Sequence, residues 1–149
     1  MVTSLVACGA AHPAPVSPVA RVSKVQLAVI PAESDAFPRV AEAVSASLAA
    51  AKVTGIDEKR VSKVSLEVVQ LSIECVDPTR ACYEAIGRSM SANRLLFARI
   101  DGANRRQLKI TVTLFDVDAR AATRSQAKVF ASEDDATAGA AALVAEVAR

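Results

Sequence analysis

Aromatic residues, histidine and glycine are all scarce in this chain of 149 residues. It has no Trp, one Tyr and four Phe, so it lacks the stacking side chains on which single-stranded nucleic acids bind. Its five glycines are separated and form no phosphate-binding loop. No uninterrupted apolar run reaches the ~18 residues of a membrane-spanning helix. These absences argue against a nucleotide-binding enzyme, a nucleic-acid-binding protein and a transmembrane protein.

The chain also lacks a large excess of either charge, because it has 18 basic and 16 acidic residues and a net charge of +2. A nucleic-acid-binding surface normally carries a clear excess of Lys and Arg on one face. The basic pair Arg105-Arg106 stands beside Gly102 and Asn104, where a solvated turn is a better interpretation than a phosphate contact. We therefore expect no nucleic-acid partner.

Small apolar residues are abundant, since 31 Ala and 20 Val contribute most of a hydrophobic fraction of 52%. A chain of this length buries about 68–70% of its unfolded surface, so it needs neither a metal nor a disulfide to form a core. Charged residues make up 23%, as in ordinary globular domains. The composition predicts one folded domain, which we place at residues 23–149.

The amino terminus contains the sequence Leu5-Val-Ala-Cys8, which matches the lipobox of bacterial lipoproteins. In that motif a small residue precedes the cleaved bond and the cysteine thiol carries diacylglycerol. Cys8 is therefore the predicted lipidation site, and residues 1–8 are the remnant of a signal. Only seven residues precede Cys8 and none is Lys or Arg, whereas a signal has a basic start and about 7–15 apolar residues. Two alternatives stay open: the true start lies upstream of Met1, or the match is accidental.

Residues 9–22 form a proline-rich segment, with three prolines in the six positions 13–18. Proline disfavours helix and favours extended, solvated chain, so we expect a tether of up to ~40 Å between a bilayer and the folded domain. His12, the only histidine, lies in this segment, where we expect no metal-binding or catalytic role. Lipobox and tether together predict a membrane anchor at Cys8.

Two further cysteines stand in the sequence Cys75-Val-Asp-Pro-Thr-Arg-Ala-Cys82. An exported protein is expected to pair such thiols, and a turn at Asp77-Pro78 can bring their Cα atoms within the ~4.4–6.8 Å that a disulfide requires. Closing this ring would stabilise the fold by about 2.5 kcal/mol in the loop-entropy model. In a cytosolic protein the two thiols would instead stay reduced and buried. The spacing is not Cys-x-x-Cys, so it indicates neither a redox centre nor a zinc site.

Hydrophobic periodicity predicts an α/β (α+β) fold in the order β-α-β-α-α-β-β-β-α, with a single mixed sheet of about 4–5 strands and about 3–4 helices packed on it. The clearest strand alternates Leu108, Ile110, Val112 and Leu114 with polar residues. Residues 61–74 are ambiguous between strand and helix, and we take a helix of about three turns from Ser65. The predicted strands lie near 25–31, 53–61, 95–100, 108–115 and 125–131, and the predicted helices near 37–51, 65–74, 77–93 and 132–149.

Local signals predict where two of these helices begin and end. Asp77 is expected to cap the third helix, with Pro78 at its first position and Asn93 at its end. Gly87 inside this helix indicates close packing. Ser132 is expected to cap the last helix, whose first turn is acidic.

The segment from about Val25 to Ala131 resembles the amino-terminal domain of TolB and its relatives in the curli-secretion lipoprotein family and the flagellar lipoprotein group. The resemblance consists of a strand at 27–31 with an amphipathic helix after it, the segment Leu66-Glu67…Gln70 before a turn, the stretch 85–96, and a hairpin strand at 108–115 followed by Asp116. It implies a periplasmic, non-catalytic binding or assembly module. The Cys75 and Cys82 pair and the lack of propeller or pore-forming segments depart from the family, so the resemblance does not extend to pore formation or a TolB-type complex.

Two motifs have a catalytic or metal-binding interpretation. Asp116 and Asp118 lie at a strand end, where alternate carboxylates can converge on a metal ion, but Asp is also common in turns and no third ligand is identifiable. Ser125 and Lys128 have the Ser-x-x-Lys spacing of acyl-enzymes. That chemistry uses a helix start and companion motifs, which the sequence lacks. We therefore predict no catalytic residue and keep Asp116 and Asp118 as the candidate metal ligands.

Together these features predict a non-catalytic lipoprotein without a cofactor, anchored through Cys8 in the periplasm at the outer membrane. Its domain is expected to bind another envelope protein through an exposed sheet edge or helix face. Two alternatives remain: a small periplasmic metal-dependent enzyme that uses Asp116 and Asp118, and a cytosolic protein-interaction domain.

Overall fold

The structure is a computed structural model that describes residues 24–75, 77–104 and 107–149. The predicted lipidation residue Cys8, His12, the tether at 9–22 and the pair Arg105-Arg106 lie outside the described residues. Within them the chain forms five strands and four helices in the predicted order β-α-β-α-α-β-β-β-α. The predicted fold class and element order are therefore confirmed.

All nine elements belong to one layered domain. The strands are β1 (Gln26–Val29), β2 (Glu58–Val61), β3 (Arg94–Gly102), β4 (Leu108–Asp116) and β5 (Ala121–Phe130), and the helices are α1 (Pro38–Ala50), α2 (Leu66–Ser72), α3 (Arg80–Ser89) and α4 (Glu133–Ala148). They form one mixed sheet with the strand order β2-β1-β3-β4-β5. Strand β1 is parallel to β2 and to β3, whereas β3 is antiparallel to β4 and β4 is antiparallel to β5.

The interior strand β1 is buried on both faces of the sheet. Alternate residues of a strand point to opposite faces, so Leu27 and Val29 belong to one core while Ala28 and Ile30 belong to the other. A strand of this kind requires a helical layer on each side. Helices α1 and α4 supply the first layer, and α2 and α3 supply the second.

The two cores differ in size. The first core lies under α1 and α4 and consists of Leu27, Val29, Val40, Val44, Leu48, Leu96, Ala98, Leu108, Ile110, Val112, Leu114, Phe130, Ala136, Ala140, Leu143, Val144 and Val147. The second core lies under α2 and α3 and consists of Ala28, Ile30, Leu66, Val69, Cys82, Ile86, Ala92, Leu95, Phe97, Phe115 and Val117. The predicted apolar stripes of α1 and α4 are both part of the first core, which confirms those two helices.

Helix α3 begins and ends at residues other than the predicted ones. The cap is Thr79, whose hydroxyl accepts a hydrogen bond from the Cys82 amide at 3.2 Å, so Asp77 and Pro78 precede the helix. The helix ends at Ser89, and Ser91 takes the left-handed conformation with a φ of 52°. Asn93 therefore does not end the helix. Its Oδ1 instead accepts a hydrogen bond from the Gln26 amide at 2.7 Å, which ties the start of β3 to β1.

Other boundaries also differ from the expectation. Strand β2 begins at Glu58 rather than near Val53. Helix α2 begins after its cap Ser65 as predicted, but it has two turns rather than three, and Glu74 then adopts a φ of 55°. Strand β5 begins at Ala121 rather than near Ser125. A register shift between Leu114 and Phe115 interrupts its pairing with β4, and all but the two end residues of β5 are exposed. Because β5 has almost no buried face, its sequence does not alternate between apolar and polar residues, and this pattern could not mark the start of the strand.

Gly87 of α3 lies against Val117, which follows β4. A Cβ on Gly87 would lie 2.9 Å from Val117 Cγ1 and closer still to Cγ2, so the predicted close packing is confirmed. We expect Gly87→Ala to lower the free energy of unfolding by about 1–3 kcal/mol, because the added methyl group would overpack the core against Val117. Urea unfolding measures this change. Gly102→Ala is the control, since a Cβ there meets nothing within 4 Å, and equal effects of the two variants would contradict the packing argument.

Glu84 of α3 forms two ion pairs, each with an N–O distance of 2.7 Å. The pair with Arg88 lies within the helix, and the pair with Arg120 connects the helix to the turn between β4 and β5. The hydrogen bond from Arg88 and the charge of Arg120 lower the pKa of Glu84, although partial burial acts in the opposite direction. A lowered folded-state pKa stabilises the fold above the ordinary Glu value of about 4.3, and this contribution is lost as the pH falls through the folded pKa. We expect the Tm of the Glu84→Gln variant to fall less steeply than that of the natural chain as the pH is lowered below about 4. An unchanged slope in thermal unfolding would contradict this assignment.

Candidate functional site

Large apolar side chains are exposed at one place in particular. The exposed ones among the described residues are Val61 at 49%, Val64 at 44%, Val68 at 46%, Leu71 at 63% and Val129 at 51%. Four of these five lie between residues 61 and 71, at the end of β2 and along α2. Single exposed apolar residues are ordinary, but a contiguous group marks an interaction surface more often than chance.

Helix α2 is apolar on two sides. Leu66 and Val69 are buried in the second core and hold the helix on the sheet. Val68 and Leu71, three residues apart on α2, lie on the opposite, exposed side, and Val64 is exposed just before the cap Ser65. We call these three residues the α2 face. Two of the four exposed residues of this seven-residue helix, Val68 and Leu71, therefore belong to this face.

A cavity of about 310 Å³ lies directly beside the α2 face. It is lined by Glu67 and Leu71 of α2, by Pro31 and Glu33 of the segment after β1, and by Arg99 and Asp101 of β3. We call it the α2 cavity. From β1 the chain passes to α1 on one face of the sheet, and it reaches β3 from α3 on the other face. The cavity therefore lies at the carboxyl ends of two parallel strands where the connections diverge, the usual position of binding sites in open α/β sheets.

The charge of the α2 cavity is mainly negative. Three carboxylates line it, and Arg99 Nη2 lies 3.8 Å from one of them, Asp101 Oδ1. Glu33 and Glu67 are exposed, and within the part of the chain that the structure describes neither forms an ion pair. The lining thus has two carboxylates without a cationic partner beside an apolar helix face.

A disulfide fixes the segment that follows α2. Cys75 and Cys82 are bridged, with a Cα–Cα distance of 5.6 Å. The bridge joins the end of the α2 segment to the first turn of α3, and Cys82 is buried in the second core. In addition, Gln70 Nε2 of α2 donates a hydrogen bond to Cys82 Sγ at 3.6 Å. These contacts attach a helix of two turns to α3.

Of the two predicted metal candidates, only Asp116 belongs to a strand, because β4 ends there and Asp118 lies in the following turn. Asp116 Oδ1 accepts a hydrogen bond from the Ala119 amide at 2.9 Å and lies 3.0 Å from Arg94 Nη1 in an ion pair. Asp118 is exposed in the turn that follows, and Val117, which stands between the two in the sequence, is buried. No group of three or more His, Cys, Asp or Glu able to hold a metal ion occurs among residues 24–75, 77–104 and 107–149. Asp116 therefore has a structural role at the end of β4.

Ser125 and Lys128 lie on opposite faces of β5, because they are three residues apart on a strand. The Ser125 hydroxyl forms a hydrogen bond of 3.0 Å with the Thr113 hydroxyl on β4. Lys128 extends over the Phe130 ring at 5.2 Å on the other side. These two residues are not a serine–lysine pair.

Sequence reasoning missed the α2 face and the α2 cavity. The signal for the face was the ambiguity of residues 61–74, where both a strand and a helix pattern fit. A helix that is apolar on two sides produces such a double pattern. The cavity had no local signal, because Glu33, Glu67 and Asp101 come from separate segments of the chain.

No protein-family model matches the sequence, and neither does any curated protein. Among solved structures, the chain is similar to the LpoB C-terminal domain from Salmonella enterica, with 16% identity, a TM-score of 0.46, and coverage of 74% of this chain and 86% of that chain. It is also similar to lipoprotein GNA1162 from Neisseria meningitidis, with 12% identity, a TM-score of 0.43, and coverage of 70% of this chain and 81% of that chain. A third similar structure is TolB from Acinetobacter baumannii, with 11% identity, a TM-score of 0.41, and coverage of 84% of this chain and 28% of that chain. The neighbours thus include a TolB and a lipoprotein, the kinds of protein that the sequence resembles.

No helix within the described ranges is both long enough and apolar enough to cross a bilayer.

The disulfide provides a direct test of how α2 is held. Replacing both cysteines, Cys75→Ser with Cys82→Ala, is expected to lower the free energy of unfolding by about 2.5 kcal/mol, because a loop with a sequence separation of 7 is no longer closed in the unfolded chain. Urea unfolding with and without dithiothreitol measures the change. Reductant should weaken the natural chain and leave the double variant unaffected. A natural chain that is insensitive to reductant would contradict the prediction.

Proposed function

We propose that this protein is a non-catalytic lipoprotein of the bacterial envelope whose α/β domain binds another envelope protein. In this proposal the chain is anchored to the outer membrane through lipid on Cys8, and residues 9–22 span the distance to the folded domain in the periplasm. The domain binds its partner through an exposed surface rather than transforming a substrate.

The observation that carries the binding role is the α2 face beside the α2 cavity. A monomeric domain normally turns the polar side of a short helix to water, but α2 exposes Val64, Val68 and Leu71 there. Exposed apolar side chains next to a concave, polar-rimmed depression are typical of surfaces that bind another protein. A binding role also fits the separation of the candidate catalytic groups, since Asp116 is held by Arg94 and Ser125 by Thr113.

The envelope location is supported by the lipobox, the proline-rich segment and the disulfide together. Leu5-Val-Ala-Cys8 supplies the modification motif, and the prolines after it favour an extended spacer. The Cys75–Cys82 bridge favours an oxidising compartment, because the cytosol keeps such thiols reduced. The same bridge disfavours the alternative of a cytosolic interaction domain.

Mass spectrometry of the protein isolated from its own cells tests the anchor. We expect the mature chain to begin at Cys8 and to carry diacylglycerol on the thiol. The Cys8→Ser variant should keep the fold, lose the lipid and leave the membrane fraction. An unmodified Cys8 with the upstream residues still attached would contradict the anchor.

A further inference from the structure

We propose that the α2 face and the α2 cavity together form the docking surface for a basic, amphipathic helical segment of the partner protein. This inference rests on the proposed function, since it names the surface and the chemistry of the partner that the function requires. Three properties of the surface lead to it: the apolar stripe, the size of the cavity and the unpaired negative charge.

The stripe fits a helical partner. Val68 and Leu71 are neighbours on the exposed side of α2, ~4.5 Å apart along its axis, and Val64 adds a third exposed aliphatic side chain just before the helix. An amphipathic helix uses its own side chains at i, i+3, i+4 and i+7 to cover such a row. Because Leu66 and Val69 hold α2 on the sheet and the disulfide fixes the following segment, the row is presented by a supported element. Little ordering of this surface is therefore needed on binding.

The cavity fits one long side chain. Its volume of about 310 Å³ is at the lower end of the ~300–1,000 Å³ that ligand pockets span. Leu71 belongs both to the stripe and to the cavity lining, so a helix that covers the stripe places its neighbouring side chain over the cavity. The two features are thus parts of a single surface.

The charge of the lining selects the chemistry of that side chain. Glu33 and Glu67 have no cationic partner within the residues that the structure describes, while Asp101 is close to Arg99. An Arg or Lys of the partner would enter between carboxylates, and Arg can bind them in a bidentate manner. An acidic segment would be repelled. An anionic lipid surface would be repelled for the same reason, which favours a protein partner over the membrane.

The other unpartnered surfaces fit less well. Strand β5 is an open edge, but Arg124 and Lys128 are charged side chains of the kind that protect edges from pairing. Among the described residues of β5, Val129 is the single large apolar side chain that is exposed. The groove between α1 and α4 is lined mainly by alanine and offers no large anchoring side chain.

Photo-cross-linking in intact cells tests the inference with the full chain. Leu71→benzoylphenylalanine and Val129→benzoylphenylalanine each place a photoreactive group at an exposed apolar position, on α2 and on β5. We expect an adduct from position 71 with a yield at least ~10-fold above that from position 129, since only the first lies in the docking surface. Mass spectrometry of the adduct should identify a partner peptide with Lys or Arg beside an apolar helical stripe.

Charge removal provides the second arm. Glu33→Gln with Glu67→Gln, added to the position-71 variant, is expected to reduce the adduct about 10-fold, because the partner's cation loses both carboxylates. Glu42→Gln with Glu146→Gln is the matched control, since both residues are exposed on α1 and α4. This control should leave the yield unchanged, and thermal unfolding of the purified variants should show that both pairs fold.

The outcomes separate the docking surface from the proposed function. An adduct mainly from position 129, an acidic partner peptide, a second copy of this chain, a phospholipid adduct, or a yield indifferent to Glu33 and Glu67 would overturn the docking surface alone. Absence of adduct from both positions, while formaldehyde still links the natural chain to another envelope protein, would also overturn only the surface. If formaldehyde gives no such product either, the binding function is overturned as well.

Discussion

The burial of strand β1 on both faces is the constraint on which the rest of the structure depends. Its four residues pair with β2 on one edge and three of them pair with β3 on the other, and a helical layer must cover each face. Helices α1 and α4 form a long layer on the first core. The second layer contains the short helices α2 and α3, so it covers β1 and β3 but leaves much of β4 and β5 open. The edge of this second layer is where the exposed apolar residues occur.

Helix α2 lies at that edge, so one of its sides is buried and the other is exposed. One side, with Leu66 and Val69, closes the second core, and the other side presents the α2 face. So short a helix is not stable by itself, since isolated helices below about 12–15 residues are marginal in water. The disulfide and the contact between Gln70 and Cys82 attach it to α3. A supported apolar face next to an acidic cavity is suited to recognition, and this is why we connect the fold to binding rather than catalysis.

The fold was more predictable from sequence than the site, for physical reasons. The alternation of Leu108, Ile110, Val112 and Leu114 predicted β4 because one face of that strand is buried. Strand β5 starts earlier than expected because its exposed residues carry no alternation, and the cap of α3 was wrong because Asp77 and Thr79 are both good capping residues. The α2 cavity was not predictable, since the topology alone brings Glu33, Glu67 and Asp101 together.

Hydroxyl-radical footprinting of the natural chain tests most directly whether the α2 face is covered in the envelope. Oxidation of each side chain is compared between intact cells and the purified protein, with Val129 as the reference because its exposure is similar to that of Val68. The account predicts that Val68 and Leu71 are oxidised several-fold less in cells, whereas Val129 is oxidised equally in both. Equal oxidation of Val68 and Leu71 in cells and in purified protein would contradict it.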